Sequence, residues 1–257
     1  MSGNVIVLDD DAETGRRLKY YSRAADVNYW TELWKAREWS YGRQLKGHLP
    51  HHLRRTFGKF VRPGARVLEA GCGMGHFTVA AHARGYRAEG PDWSAETVGR
   101  LNARFPAIAW HVGDVRALEF EDGAFDAVYS PGVCEHFEEG PAAILEETRR
   151  VPRPGGVAIV VTPCFNRWMR SRPHLFAGEP SGDFYQFAFS PEGMSRLLGR
   201  LGFDVRRVLL YDTVDTLIKF AGWRVPPWAV KPLAVMDYLP VLRDWGRCCV
   251  WVARRTR

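Results

Sequence analysis

The chain has 257 residues, of which 46% are hydrophobic and 25% are charged, a composition typical of a folded globular protein. No stretch stays apolar over about 18 consecutive residues, and the first residues lack a basic start followed by an apolar run, so the sequence predicts neither a membrane span nor a secretion signal. Five cysteines without paired metal spacing indicate reduced thiols in a cytoplasm, and the net charge of +7 is spread over scattered arginines, which favours a solvated basic surface.

The first 60 residues divide into an acidic start and an aromatic segment. Residues 1–15 are acidic and are expected to be flexible, whereas the pattern from residue 16 to 60 predicts a helical cap. Trp30 and Trp34 lie one helical turn apart, so one face of a helix there is apolar. This cap either packs on the core or acts as a lid, and in the second case Tyr29 and Trp30 would contact a substrate.

A glycine-rich turn follows the first predicted strand of the main domain, which spans residues 61–257. Residues 66–75 read RVLEAGCGMG, with Glu69 after the strand and Gly71, Gly73 and Gly75 at alternate positions. A strand that turns into a helix leaves backbone N–H groups free at the start of the helix, and glycine has no Cβ to keep a ligand away from that backbone. The motif therefore predicts a site for a nucleotide-like ligand, although a glycine turn without a ligand also fits it.

The residues in and around the turn indicate which kind of ligand it binds. A dinucleotide site needs a third glycine where this chain has His76, and a P-loop needs a Lys-Ser/Thr pair that is missing here. The acid at the end of the strand, Glu69, disfavours a pyrophosphate and suits a ligand that carries a cation.

Acids also follow the next two predicted strands. Asp92, Trp93 and Ser94 follow the apolar run 86–90. Asp92 lies at about the distance from the glycines that is typical of a ribose-binding acid, and Trp93 is positioned to cover an adenine face. Alternatively, Asp92 or Ser94 caps the helix that begins at about residue 95.

Later strands complete an alternating pattern of strands and helices. The run 107–112 leads to Asp114, and strands are predicted at 125–129 and 157–162. This alternation predicts a parallel sheet with helices on both faces. The segment 163–189 is a long polar-aromatic loop, which is uncommon unless it is functional, and within it Asn166 and Tyr185 are candidates for contacting a substrate.

The last part of the chain holds two more strands and an insertion between them. Ser190 is the predicted N-cap of a helix at 192–201, and strands are predicted at 203–211 and 246–253. The insertion, 212–245, is expected to be helical and is rich in aromatic residues and proline. It either packs over the end of the sheet and shapes a substrate pocket, or lies on a bilayer or a lipid-linked substrate through tryptophan and basic residues.

Taken together, these pieces resemble the class I S-adenosylmethionine-dependent methyltransferases, especially the group that acts on small molecules. The matching pieces, over about residues 45–210, are VLEAGCGMG, DWS, GDV, FDAVYSPGVCEHF and RRVPRPGG. The resemblance implies a Rossmann-like sheet of seven strands, mostly parallel with a terminal antiparallel hairpin, and S-adenosylmethionine as cofactor. Pro91 departs from the family pattern, and because proline lacks a donor for the ladder, the second strand is expected to end early.

The resemblance also assigns roles to individual residues. Glu69 would hold the methionine end, Asp92 would accept hydrogen bonds from the ribose hydroxyls, and Asp114 with the backbone N–H of Val115 would bind adenine. Further cofactor contacts are expected at Gly71, Cys72, Gly73, Gly75, Trp93, Ser130 and Pro131.

The implied reaction is an in-line transfer of the methyl group to an oxygen or nitrogen of a small-molecule or lipid-linked metabolite. His136, just beyond the fourth strand, is the candidate general base because its ordinary pKa lies near neutral pH, although a structural role for it remains open.

Two other functions stay open as well. One is an RNA methyltransferase, against which the sequence Ser130-Pro131-Gly132-Val133 argues, and the other is a cofactor-binding partner subunit without catalysis. No metal is expected, since His51 and His52 lack partners at ligand spacing in the sequence, and peripheral membrane contact is expected only through 212–245.

Overall fold

The computed structural model describes residues 5–53, 57–239 and 242–257. Residues 1–4 of the predicted flexible start therefore lie outside the described residues, as do 54–56 of the predicted cap and 240–241 of the insertion. The strands, in chain order, are β1 (Val5–Asp11), β2 (Gly15–Ser22), β3 (Arg66–Glu69), β4 (Arg87–Asp92), β5 (Ala109–Val112), β6 (Phe125–Pro131), β7 (Pro152–Pro163), β8 (Asp183–Phe189), β9 (Phe203–Tyr211) and β10 (Cys248–Arg255). The helices are α1 (Val27–Ala36), α2 (Phe57–Phe60), α3 (His76–His82), α4 (Ala95–Arg104), α5 (Ala142–Arg150), α6 (Arg167–Arg170), α7 (Pro191–Arg200), α8 (Thr213–Phe220) and α9 (Pro227–Leu233).

The main sheet has seven strands in the order β5-β4-β3-β6-β7-β10-β9. The five strands from β5 to β7 are parallel, and β10 is antiparallel to both β7 and β9. This confirms the predicted seven-stranded, mostly parallel sheet with a terminal antiparallel pair. The central strand β7 is almost entirely buried from Gly156 onward, as expected for a β-branched strand that is covered on both faces.

The strand before Asp92 does not end early, which corrects the expectation based on Pro91. β4 continues through Pro91 to Asp92, and both residues pair with β5. The carbonyl of Pro91 accepts a hydrogen bond of 2.9 Å from the backbone N–H of Cys72 in the glycine turn. The proline therefore joins the end of the strand to the turn, although it has no N–H of its own.

Helices cover both faces of the sheet and bury a hydrophobic core on each. One core, which contains Phe57 and Phe77, lies under α2 and α3 and the segment before them. The other, which contains Phe187, Leu197 and Trp251, lies under α5 and α7. Ser190 accepts a hydrogen bond from the backbone N–H of Gly193 and begins α7, so the predicted N-cap is confirmed.

The predictions for the N-terminal region were largely wrong. Residues 5–22 form a β-hairpin, β1 and β2, and β2 also pairs with β8 to make a second, three-stranded antiparallel sheet. The predicted flexible start and the helix expected from residue 18 are therefore replaced by strands over the described residues. Among the described residues of the predicted cap, helical structure is confined to α1, a short 3₁₀ turn at Gln44–Lys46 and α2.

Of two later segments, one differs from expectation and the other agrees with it. The predicted loop 163–189 contains α6, a 3₁₀ turn at Pro173–Phe176 and all of β8. The insertion 212–245 is helical as expected, with α8, α9 and 3₁₀ turns around a small apolar cluster of its own. Within the described part of the chain, every helix is too short or too polar to span a lipid bilayer.

Candidate functional site

The glycine turn joins β3 to α3 in a conformation that other residues rarely adopt. Gly71, Gly73 and Gly75 all have φ between +49° and +72°, the left-handed region that glycine enters at least cost. A Cβ on Gly71 would lie 2.7 Å from the Val133 side chain, and one on Gly75 would lie 2.5 Å from the Trp110 ring. The turn therefore requires glycine both for its backbone and for the close approach of neighbouring side chains.

A cavity of about 500 Å³ opens beside this turn. It lies where the parallel strands of the main sheet end, which is where open α/β sheets bind ligands, and its volume is typical of small-ligand sites. Its walls are mainly apolar, with two carboxylates among them. The residues that line it are Trp30, Trp34, Arg37, Glu69, Gly71, Cys72, Gly73, Met74, His76, Asp92, Trp93, Gly113, Val115, Pro131, Gly132, Val133, His136 and Phe137.

Glu69 is a buried carboxyl in the wall of the cavity. Its Oε2 accepts hydrogen bonds from the backbone N–H and the hydroxyl of Thr78, at 2.9 and 2.6 Å. Burial nevertheless raises the pKa of Glu69 to about 8, against the opposite effect of those bonds. A cation placed in the cavity would favour the ionised form of this carboxyl.

Asp92 connects the end of β4 to the glycine turn. Its Oδ2 accepts from the backbone N–H of Gly73 at 2.9 Å, and its Oδ1 accepts from that of Ser94 at 3.0 Å. Burial raises the pKa of Asp92, although both backbone bonds act to lower it. The N-cap of α4 is Ser94, which accepts from the N–H of Thr97, so Asp92 is not needed as the cap and keeps lone pairs for a ligand.

The far wall of the cavity combines aromatic rings with backbone. The rings of Trp93 and Phe137 lie 5.9 Å apart, and Gly113 and Val115 complete this wall. Asp114, predicted to bind adenine, is not part of the wall. Its carboxylate is held by Arg116, with Nη2 to Oδ2 at 2.7 Å. Val115, its predicted partner, does line the cavity, and the role of both residues toward an adenine stays a prediction.

Helix α1 covers the cavity with two tryptophans. Asp26 caps the helix by accepting from the backbone N–H of Tyr29 at 2.8 Å. Trp30 and Trp34 stack with centroids 5.5 Å apart, and Trp30 also meets the ring of His136 edge to face at 4.9 Å. The two tryptophans lie on one face of α1, as their spacing predicted, and both line the cavity; that the segment acts as a lid stays a prediction.

His136 lies beside Trp30 under α1, and a hydrogen bond fixes which of its ring nitrogens carries the proton. Its Nδ1 lies 2.9 Å from the backbone carbonyl oxygen of Tyr185, which can only accept, so Nδ1 carries the proton and Nε2 keeps a lone pair. Burial lowers the pKa of His136 to about 4. The ring is therefore neutral at physiological pH and offers the cavity a weak base or a hydrogen-bond acceptor.

Six predicted site residues do not line the cavity: Tyr29, Gly75, Asp114, Ser130, Asn166 and Tyr185. Tyr29 and Tyr185 contact each other at a hydroxyl separation of 3.5 Å, and Tyr185 supports His136 through its carbonyl. Gly75 faces Trp110. Ser130 is buried outside the lining, and its hydroxyl has no described hydrogen-bond partner.

Asn166 needs a clear correction. It is fully buried, and its side-chain oxygen accepts from the backbone N–H of Met169 to cap α6. Its amide nitrogen donates to the carbonyls of Trp245 and Gly246, at 2.9 and 3.1 Å. Through these hydrogen bonds Asn166 links the end of the insertion to the segment that follows β7. Its side chain is buried and is not exposed to a substrate. No described residue of 212–245 lines this cavity, so a role of the insertion in shaping the substrate pocket stays a prediction.

Several cavity residues were not predicted. Trp34 was visible in the helical spacing with Trp30, and His76 directly follows the last glycine. Arg37 lies beyond the end of α1, and nothing in the sequence pattern assigned it to the cavity. The remaining unpredicted lining residues are Met74, Gly113, Gly132, Val133 and Phe137.

His51 has neighbours that its sequence context did not show. His51, Asp212 and Asp237 each present one potential ligand atom, and these atoms lie within 4.8 Å of one another. The carboxylate of Asp237 already accepts backbone hydrogen bonds from Asp212 and Thr213. The absence of a metal thus stays a prediction.

Comparison with known proteins assigns the chain to a family, and this assignment agrees with the geometry of the cavity. A family model described as a methyltransferase domain matches residues 68–160. The chain is 34% identical over 162 residues to an uncharacterized methyltransferase of Synechocystis sp., a match that covers 59% of this chain and 72% of that protein. The chain belongs to the class I S-adenosylmethionine-dependent methyltransferase family.

One further sequence relative and one solved structure also match the chain. A probable S-adenosylmethionine-dependent methyltransferase of Mycolicibacterium smegmatis is 33% identical over 148 residues, covering 57% of this chain and 54% of that protein. The solved structure of geranyl diphosphate C-methyltransferase from Streptomyces coelicolor, in complex with Mg²⁺, geranyl diphosphate and S-adenosyl-L-homocysteine, matches with a TM-score of 0.54 and 19% identity over 80% of each chain. That structure supports the fold alone. The chain spans about half the length of several curated relatives that it matches.

The cofactor of this methyltransferase family fits the cavity. S-adenosylmethionine carries an ammonium and a sulfonium, and the cavity has two buried carboxyls whose raised pKa values a cation would relieve. The glycine turn leaves backbone exposed at one wall, and aromatic rings are available for an adenine at the other.

Proposed function

We propose that this methyltransferase transfers a methyl group from S-adenosylmethionine to an oxygen or nitrogen of a small-molecule or lipid-linked metabolite by in-line displacement. The observation that carries the proposal is the division of one cavity into two chemically different ends. Glu69, Asp92 and the glycine turn form a polar end. Trp30 and His136 line an apolar end under α1, and Trp34 lies between the two ends, with its ring 3.0 Å from the position that a Cβ on Gly73 would take.

The polar end suits the cofactor. Glu69 would pair with the ammonium of the methionine part, and Asp92 would accept from the ribose hydroxyls with the lone pairs that Gly73 and Ser94 leave. Trp93 and Phe137 would cover the adenine. The bound cofactor supplies an electrophilic methyl group, and the chain contributes alignment of the acceptor and exclusion of water.

The apolar end suits the acceptor. Trp30 and Trp34 offer flat apolar surfaces against which a hydrocarbon or ring can pack. His136 Nε2 is positioned to accept a hydrogen bond from a hydroxyl or amine of that molecule, because Nδ1 is committed to Tyr185.

The pKa of His136 sets what it can do with a proton. With a pKa of about 4, the ring does not remove a proton from an alcohol or ammonium before the reaction. An oxygen that is gaining a methyl group becomes strongly acidic, and the ring accepts its proton at that stage. His136 is thus assigned a late role in proton transfer together with orientation of the acceptor.

The test is to supply cofactor with a radiolabelled methyl group to the protein and to fractionated cell extract. Lipid, small-molecule, protein and RNA pools are then separated and counted. We expect the label in the lipid or small-molecule pool, and only background labelling with Asp92→Asn. Label in the RNA pool would instead support a nucleic-acid methyltransferase, and cofactor binding without labelling of any pool would support a partner subunit.

A further inference from the structure

The insertion carries an unusual concentration of exposed apolar side chains. Among the described residues, ten large hydrophobic side chains are exposed, and five of them lie within residues 223–239. Trp228 is 79% exposed and Trp223 is 46% exposed, while the chain's other tryptophans are buried or half-buried. We call Trp223, Trp228, Val230, Val235 and Leu239 the insertion patch. Exposed apolar clusters of this kind mark interaction surfaces.

The sequence around the insertion patch is mainly basic, and the two acids nearest to it already have partners. Asp215 pairs with Lys219 and Arg247, and Asp237 accepts hydrogen bonds from the backbone N–H groups of Asp212 and Thr213. Residues 216–236 contain three basic residues, Lys219, Arg224 and Lys231, and no aspartate or glutamate. Arg224 is exposed between the two tryptophans of the patch. Tryptophan and arginine side by side match the boundary between headgroups and acyl chains of a bilayer, where an amphipathic ring and a cation are both favourable. The excess of basic over acidic residues in this stretch favours an anionic surface.

The position of the insertion in the fold links the patch to the cavity. β9 ends at Tyr211, which pairs with Cys248 at the start of β10, and Cys248 pairs with Pro163 at the end of β7. Because β7 is parallel to β6 and β3, the insertion leaves the sheet at the same edge as the glycine turn. A surface held on that edge would bring the mouth of the cavity toward whatever the patch contacts.

We propose that the insertion patch docks the protein on an anionic lipid bilayer, with tryptophan side chains entering the headgroup region and Arg224 facing the lipid phosphates. This goes beyond the proposed methyl transfer, and it does not depend on the identity of the acceptor. It assigns a role to the segment that the cavity does not use, and it predicts that the binding weakens at high salt because part of it is electrostatic.

The test is sedimentation of the purified full chain with vesicles of phosphatidylcholine, with and without phosphatidylglycerol, at low and high salt. We expect binding to the vesicles with phosphatidylglycerol, and less binding at high salt. The double variant Trp223→Ala/Trp228→Ala should lower the partition coefficient about tenfold, because two large apolar side chains leave the bilayer. Arg224→Glu should lower it about tenfold by reversing one charge at the surface. The matched controls are Leu45→Ala, an exposed apolar residue elsewhere, and Arg87→Glu, an exposed arginine at the opposite edge of the sheet.

Two outcomes would overturn the proposal. One is a failure of the wild-type protein to sediment with phosphatidylglycerol vesicles at low salt. The other is binding that the patch variants and the controls weaken equally, since that would reflect net charge alone. Light scattering on the same samples identifies the alternative occupant: a dimer that dissociates in the tryptophan variant would show that the patch binds a second copy of the chain. Cofactor binding measured in parallel keeps this test separate from that of the proposed function.

Discussion

Cofactor affinity should depend on pH through Glu69, because this carboxyl is buried in the cavity wall. Its pKa is raised to about 8, so the group is mostly protonated and neutral at pH 6. A bound ammonium requires the ionised carboxylate, so binding at pH 6 must release a proton. The affinity therefore rises with pH until the pKa of the free protein is passed.

The size of this effect follows from the two pKa values. If the pKa of Glu69 is about 8 without ligand and returns to its ordinary value of about 4.3 beside a bound cation, the association constant rises about 50-fold between pH 6 and pH 8. This corresponds to about 2.3 kcal/mol of binding free energy. Close to one proton should be released per ligand at the lower pH.

The assay is isothermal titration with S-adenosylhomocysteine, which carries the ammonium, in buffers of different ionisation enthalpy. Glu69→Gln should bind weakly and with little change over this pH range. The matched control is Glu89→Gln on the neighbouring strand, where bonds from His111 and Arg66 overcome the effect of burial and hold the pKa of Glu89 down at about 2; that variant should keep the full pH dependence. An affinity that is flat in the wild type, or an equal dependence in Glu69→Gln, would refute the reasoning.

Three further predictions concern single positions. Asp92→Asn should weaken cofactor binding about 30-fold, because a charge-assisted acceptor worth about 2 kcal/mol is lost; calorimetry would contradict this if the affinity were unchanged. His136→Ala should lower turnover far more than cofactor affinity, and the wild-type rate should show no titration near pH 6.5 because the pKa of this ring is about 4; a variant with full turnover would remove His136 from the reaction. Gly75→Ala should destabilise the fold by about 2–4 kcal/mol, since its φ is +66° and a Cβ would meet Trp110 at 2.5 Å. Urea unfolding measures this against Gly99→Ala, where a Cβ meets nothing within 4 Å; equal stability of the two variants would contradict it.

The main sheet was predictable because its signals are local. Each of the five parallel strands contains a short apolar run that ends at or before an acid, a glycine or a proline, and these runs predicted all five, although β7 begins at Pro152, ahead of the predicted 157. The cavity carboxylates Glu69 and Asp92 were found for the same reason, since a residue that directly follows a parallel strand lies at the ligand-binding edge.

The N-terminal hairpin was not predictable from its own composition. The acidic run of β1 indicated a flexible segment, but its charges pair across the hairpin, with Arg17 Nε to Asp9 Oδ2 at 2.7 Å and Arg16 Nε to Asp10 Oδ1 at 3.0 Å. The third strand of that sheet, β8, is distant in the sequence. The N-terminal sheet therefore depends on pairing between strands that are distant in the sequence, which the local pattern of residues does not show.

Errors in the site have two physical causes. Asn166 was judged by its chemistry, although a polar residue directly before a short helical run is commonly a cap. Arg37 and Thr78 were missed because their contacts depend on how α1 and α3 lie against the sheet, which no spacing in the sequence specifies.

The central claim is that the cavity between the glycine turn and α1 binds S-adenosylmethionine. Titration of the purified, ligand-free protein at pH 8 with the methyl donor, and separately with its demethylated product, tests this most directly. We expect saturable heat with both compounds at one site per chain, with an affinity about 30-fold lower in Asp92→Asn. No heat with either compound, from protein shown to be folded, would contradict the account.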